Sequence, residues 1–184
     1  DHDPVGGEHD IAAGRPIGQF IHRKETEERY HAIFENAAVG ITQVNLDGVL
    51  TDANQKFFDM LGYRREDIIG KHIKDITHPE DYGQGAQWRG RLADGANKSM
   101  ASEKRFLRKT GEVVWARRTM SMVYDNSGKP EYLVSVVEDI TERKLAEKRQ
   151  AMEHAITRVL AEAQTLDEAS PIIIQTICET MGWH

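Results

Sequence analysis

Apolar residues recur along this chain with two different periods, and the places where the period changes divide it into elements. From Pro16 onward, Ile17, Phe20 and Ile21, then Tyr30, Ile33 and Phe34, lie three and four residues apart with charges between them. This spacing predicts an N-terminal helix over 16–36. Residues 1–15 mix Gly, Pro, His and Asp without a period and read as linker or the remnant of a domain. Val39–Val44 and Val49–Ala53 are rich in β-formers and flank Asp47-Gly48, residues that tolerate a positive φ, so a hairpin is expected. Asn54 stands where it can cap Gln55–Leu61, a helix whose apolar residues are Phe57, Phe58 and Leu61 and which Gly62 closes. A shorter helix around Glu66–Ile69 ends at Gly70. Ile73, Ile76, Trp88 and Leu92 are scattered through polar sequence over 71–95, which predicts short helices and loops, the longest near Gln84–Leu92.

After Gly95 the period shortens to two. Lys98–Lys109 and Glu112–Tyr124 flank Thr110-Gly111, and Tyr132–Asp139 follows the Asn126-Ser127-Gly128 turn, giving a three-stranded antiparallel meander. From Thr141 the helical period returns: Leu145, Met152 and Val159 are seven apart, and Arg149, Ile156 and Ala163 lie four beyond each. This a/d seam of about three heptads predicts a parallel homodimer through the flanking helices. Arg149 at a core position leaves an exposed, monomeric connecting helix as the alternative. Ala169–Met181 carries Ile172, Ile173, Ile174 and Ile177, too much apolar surface for a free tail, so 166–184 reads as the start of a further domain.

A length of 184 residues allows one domain of ordinary size plus connecting segments. With 39% hydrophobic and 29% charged residues, disorder throughout is excluded. A formal net charge of −6 argues against a nucleic-acid partner, which needs clustered Lys and Arg. No run approaches the roughly 20 apolar residues of a membrane span. Cys178 is the single cysteine, so no internal disulfide forms and a cytoplasmic location is expected. The opening at Asp1 and the close on Trp183-His184 suggest a piece of a longer polypeptide.

Particular residues point further. Phe34–Ile41, the Asp47-Gly48 turn, Asn54, Leu61-Gly62-Tyr63 with Ile69-Gly70, and His78-Pro79-Glu80-Asp81 come in that order; Arg108–Gly111 with Trp115 and Glu138–Arg143 follow. Together they resemble a PAS domain over about residues 29–148, with Asp139-Ile140-Thr141 the most telling piece. The resemblance implies an α+β fold: a five-stranded antiparallel sheet over 29–140 with short helices on one face, and an exit coiled-coil helix over 141–165. Ile17–Lys24 resembles the closing helix of a GAF domain, and Ala155–Trp183 the opening of another. Arrangements of this kind are similar to the input regions of sensor histidine kinases, diguanylate cyclases and phosphodiesterases. The implied role is signal transduction, with any catalytic domain outside these residues.

A fold of this family implies a pocket that holds haem, flavin, a small acid or nothing. Ile41, Phe57, Leu61, Trp88, Phe106, Arg118 and Met120 are the candidates for lining it, with Met122 beside them; core filling is the alternative. The family's photoactive flavin members carry a cysteine after the Gly70-type turn, and Gly70–Thr77 has none. Its oxygen-sensing haem members place a histidine in the stretch matching Asp81–Gly95, which also has none; His72 and His78 are the nearest and read as turn or surface residues. Neither cofactor is expected, and the ligand's identity stays open. His2 and His9 with Asp1, Asp3 and Asp10 lack the ordered frame a metal site needs. His78, Glu80 and Asp81 lack an accompanying nucleophile, so no catalytic residue is assigned.

Arg118 is in phase with Val114, Ala116, Met120 and Met122 and is expected on the concave face of its strand. A buried guanidinium is costly unless paired, so it should meet a carboxylate such as Glu103, or an acidic ligand. Asp139, Ile140, Thr141 and Arg143 form the expected signal relay, with Thr141 as N-cap and Asp139 bonded to Arg143 or to the domain. A helix cap without a relay role is the plainer reading. For the chain as a whole the rival is a ligand-free dimerisation scaffold.

Overall fold

A computed structural model describes residues 17–83, 91, 99–162 and 165–181. The chain divides into two units, one ending at Ala37 and the other beginning at Ala38. The first unit holds α1 (Ile17–Glu35). Asn36 closes it by donating from both its backbone N (3.1 Å) and its Nδ2 (2.8 Å) to the carbonyl of Ala32. Tyr30 and Phe34, one turn apart, stack with ring centroids 5.9 Å apart.

The second unit begins with a hairpin, β1 (Gly40–Asn45) and β2 (Leu50–Ala53), whose turn places Gly48 at φ 91°. Two helices follow, α2 (Gln55–Leu61) and α3 (Arg65–Ile68), then 3-10 turns at Ile73–Ile76 and Pro79–Asp81. Next come β3 (Ser99–Leu107), β4 (Val113–Tyr124) and β5 (Pro130–Asp139). α4 (Thr141–Glu162) and α5 (Leu166–Met181) are the last described elements. The expected linker over 1–15, nearly all of the helix near Gln84–Leu92 with its Trp88, and seam residue Ala163 lie outside the described residues.

The five strands form one antiparallel sheet in the order β2-β1-β5-β4-β3, the α+β arrangement expected from the sequence. Asn54 does more than cap α2. Its Oδ1 accepts from Phe57 N (3.2 Å) and from Ile41 N (2.8 Å), and its Nδ2 donates to Val39 O (3.0 Å). One buried amide therefore fixes both the start of the helix and the start of β1. Gly62, at φ 71°, ends α2 by donating to Phe58 O at 2.8 Å.

Phe57, Phe58 and Leu61 turn inward from α2, as their spacing requires, and Phe57 meets Phe106 of β3 edge-on at 5.9 Å. Leu50, Ile68, Val114 and Val137 complete this core; burying each such side chain contributes about 1.5–3 kcal/mol. The outer edge of β3 is covered by the Pro79–Asp81 turn. Arg105 N donates to Asp81 Oδ2 at 2.7 Å and Arg105 O accepts from His78 N at 2.9 Å, so part of the strand edge is closed to pairing. Among the described residues no helix is long and apolar enough to cross a membrane.

Candidate functional site: a cavity beneath the sheet and a hinge at its exit

A cavity of about 20 Å³ lies against the inner face of the sheet, enough for about one water molecule. β4 contributes Arg118 and Met120 to it, β3 Phe106, β1 Thr42 and Val44, and β5 Leu133, Ser135 and Val137; Ile73 adds a side chain from the helical layer. Most of the lining is apolar. Its polar members, Arg118, Thr42 and Ser135, are all buried, and Thr42 and Ser135 face each other in the β1–β5 register.

The strand phase puts Arg118 on the inner face of the sheet, buried in step with Val114, Ala116, Met120 and Met122. Its expected partner Glu103 is elsewhere. In the β3–β4 register Arg118 pairs with Ser102, so Glu103 points the other way and both its oxygens meet α4. Of the pocket candidates, Phe106, Arg118 and Met120 line the cavity. Phe57 and Leu61 are fully buried in the neighbouring core rather than at the cavity wall. Ile41 alternates with Gly40, Thr42 and Val44, which are the buried residues of β1, and so faces the opposite side of the sheet. Trp88 lies outside the described residues.

At the exit the register explains the chemistry. The β4–β5 ladder ends at Ala116 opposite Asp139, leaving the next backbone groups of β4 without a partner on β5. The chain supplies them: Thr141 Oγ1 accepts from Trp115 N at 3.0 Å, and Ile140 N donates to Trp115 O at 2.8 Å. The Thr141 side chain is therefore a clamp on β4 rather than the helix cap. Capping falls to Asp139, whose Oδ1 accepts from Thr141 N at 2.9 Å while its Oδ2 lies 3.8 Å from Arg108 Nη2. Arg143 does not meet Asp139; it donates to Glu103 Oε1 (2.6 Å) and Glu147 Oε1 (2.8 Å). Lys144 Nζ reaches the second Glu103 oxygen at 2.6 Å. These two cations, Lys144 first, hold the Glu103 carboxyl below the usual range, and Glu103 in turn raises both of them.

The histidines considered for haem are used locally. Nδ1 of His72 accepts from Lys74 N at 3.1 Å and Nδ1 of His78 from Glu80 N at 3.4 Å, each starting a 3-10 turn. Among the described residues no group of three or more His, Cys, Asp or Glu is placed to hold a metal ion.

A single antiparallel sheet with a helical layer on one face, a cavity between them and a helix leaving the last strand defines a small α+β domain with an interior cavity. The family described as the PAS fold matches residues 28–140, and the chain belongs to that family. It is 32% identical over 127 residues to the probable diguanylate cyclase DgcE of Escherichia coli (strain K12), covering 69% of this chain and 12% of that protein. It is 28% identical over 123 residues to the sensor histidine kinase TmoS of Ectopseudomonas mendocina, covering 67% of this chain and 13% of that one. The chain thus spans about an eighth of either relative. The crystal structure of the PAS domain of an HTR-like protein from Haloarcula marismortui superposes with a TM-score of 0.59 at 20% identity, over 68% of this chain and all of that one. Fold and relatives together make this a sensory, signal-relaying module.

Proposed function

We propose that this chain detects a small ligand or a conformational signal at the cavity and passes it through α4 to an output domain of a longer protein, a histidine kinase or a cyclic-di-GMP enzyme. The observation that carries this is strand continuity. β4 holds Arg118 and Met120 against the cavity and, further along the same strand, Trp115 against Thr141. β5 holds Val137 against the cavity and ends at Asp139. A shift of either strand that enlarges the cavity changes the seat of the helix, the two-state element such a signal needs. Arg118, Thr42 and Ser135 suit a small anionic ligand, whose entry would require the lining to move apart. Chemistry belongs to the output domain, and this chain supplies no catalytic residue.

In this reading the chain is a cytoplasmic homodimer through its flanking helices, residues 1–15 are a linker, and 166–184 open a further domain of GAF type. The cavity's size favours a second reading, a ligand-free dimerisation scaffold. Mass spectrometry and an absorption spectrum of protein purified from cells separate the two. A bound small molecule, or a melting temperature raised by a small acid, supports sensing; an empty protein indifferent to a metabolite panel supports the scaffold.

A further inference from the structure

The outer face of the sheet carries a chain of polar contacts that reaches α4 without passing through the cavity. It starts at the Pro79–Asp81 turn, where Asp81 accepts from Arg105 Nε (3.1 Å) and Nη2 (2.8 Å), and Glu80 Oε2 lies 2.8 Å from the same Nη2. A guanidinium gripped along its fork is fixed in direction as well as in place. Arg105 pairs with Trp115 in the β3–β4 register, and its Cζ lies 5.3 Å from the centroid of the Trp115 ring. Lys144 Nζ of α4 lies 5.5 Å from that centroid, so both cations are within reach of one ring. Lys144 and Arg143 then close on Glu103, beside the Trp115–Thr141 clamp.

We propose that Arg105 is a positioning residue for the exit helix: held by Asp81, it sets the Trp115 ring, and through that ring the seat of Lys144. The 78–81 turn thereby acts on α4 from outside the cavity. The functional weight of this rests on the reading that the signal leaves through α4; the coupling itself does not. An isolated exposed ion pair contributes little, whereas here successive pairs share partners, and shared partners are what make effects non-additive.

The test is hydrogen exchange of the full chain, followed by mass spectrometry, for the wild type, Asp81→Asn, Lys144→Met and the double variant. Asp81→Asn is expected to speed exchange over 141–147 about fivefold while leaving 40–53 unchanged. The double variant is expected to depart from the product of the single effects by about threefold. Effects that simply multiply, or a change confined to the turn and β3, would mean that Asp81 only pins the strand edge, and the proposal falls. Should Asp81→Asn fail to fold, Arg105→Lys keeps the charge, loses the fork and is read in the same way. Coupling without any change in the regulated output of the full-length protein would sink the relay reading and leave the positioning role standing.

Discussion

Asn54 shows how much one side chain can decide. It is fully buried, and its three hydrogen bonds join Val39, Ile41 and Phe57, so its loss leaves groups from a strand and a helix unsatisfied together. Asn54→Ala is expected to lower stability by about 3 kcal/mol in urea unfolding, well above an ordinary cap loss. A loss near 1 kcal/mol would show that the bonds to β1 matter little. The capping role is legible from the sequence because Asn precedes an apolar segment closed by Gly62; the tie to β1 is not, since it depends on how the chain returns. The same limit explains Ile41. Val39–Val44 offers apolar and polar residues in both phases, and only the packing of Phe57 against Gly40, where an added Cβ would lie 3.1 Å from Phe57 Cδ2, fixes which phase is inside.

For strands and helices, period alone locates nearly every described element, yet it hides the inward face of β5. Its run of Tyr132, Leu133, Val134, Ser135, Val136 and Val137 is apolar on both faces, so Leu133, Ser135 and Val137 give no alternation by which to assign them to the cavity. Charge pairs between distant elements are equally silent in sequence, as the seat of α4 illustrates. Thr141→Ala removes the acceptor of Trp115 N–H and Asp139→Ala the cap. Each is expected to cost about 1 kcal/mol and to uncouple output from signal in the full-length protein with the fold intact. Normal regulation in both variants would rule the hinge out. Acid tests the same seat. Asp81, bonded to Arg105, and Glu103, bonded to Lys144, both titrate below the ordinary carboxylate range. Their contribution is therefore complete above the unfolded value of about 4 and disappears as pH falls through the lower folded values. The melting temperature should hold from neutrality to about pH 5 and fall below about pH 4, less steeply in Glu103→Gln. An identical acid slope in that variant would mean Glu103 does not secure the helix.

At the scale of the molecule α4 is only partly covered, by α5 and by the end of β4. None of its described residues is buried, and Leu145 is 50% exposed and Leu160 49%, apolar surface that a partner could cover. The seven-residue spacing of Leu145, Met152 and Val159 suits a second copy of the same helix. Met152, Ile156 and Val159 are already half-buried within the chain, which limits what a partner helix adds, and Arg149 at a core position weakens the middle heptad. The dimer should therefore be concentration-dependent. Sedimentation equilibrium of the full chain is expected to show monomer giving way to dimer as concentration rises. Leu145→Glu with Met152→Glu should remain monomeric throughout with an unchanged far-ultraviolet spectrum, because both positions lie outside the sheet and its core. A wild type that stays monomeric at every concentration would leave α4 paired only with α5 of its own chain, and a signal reaching it would have to be passed on within that chain.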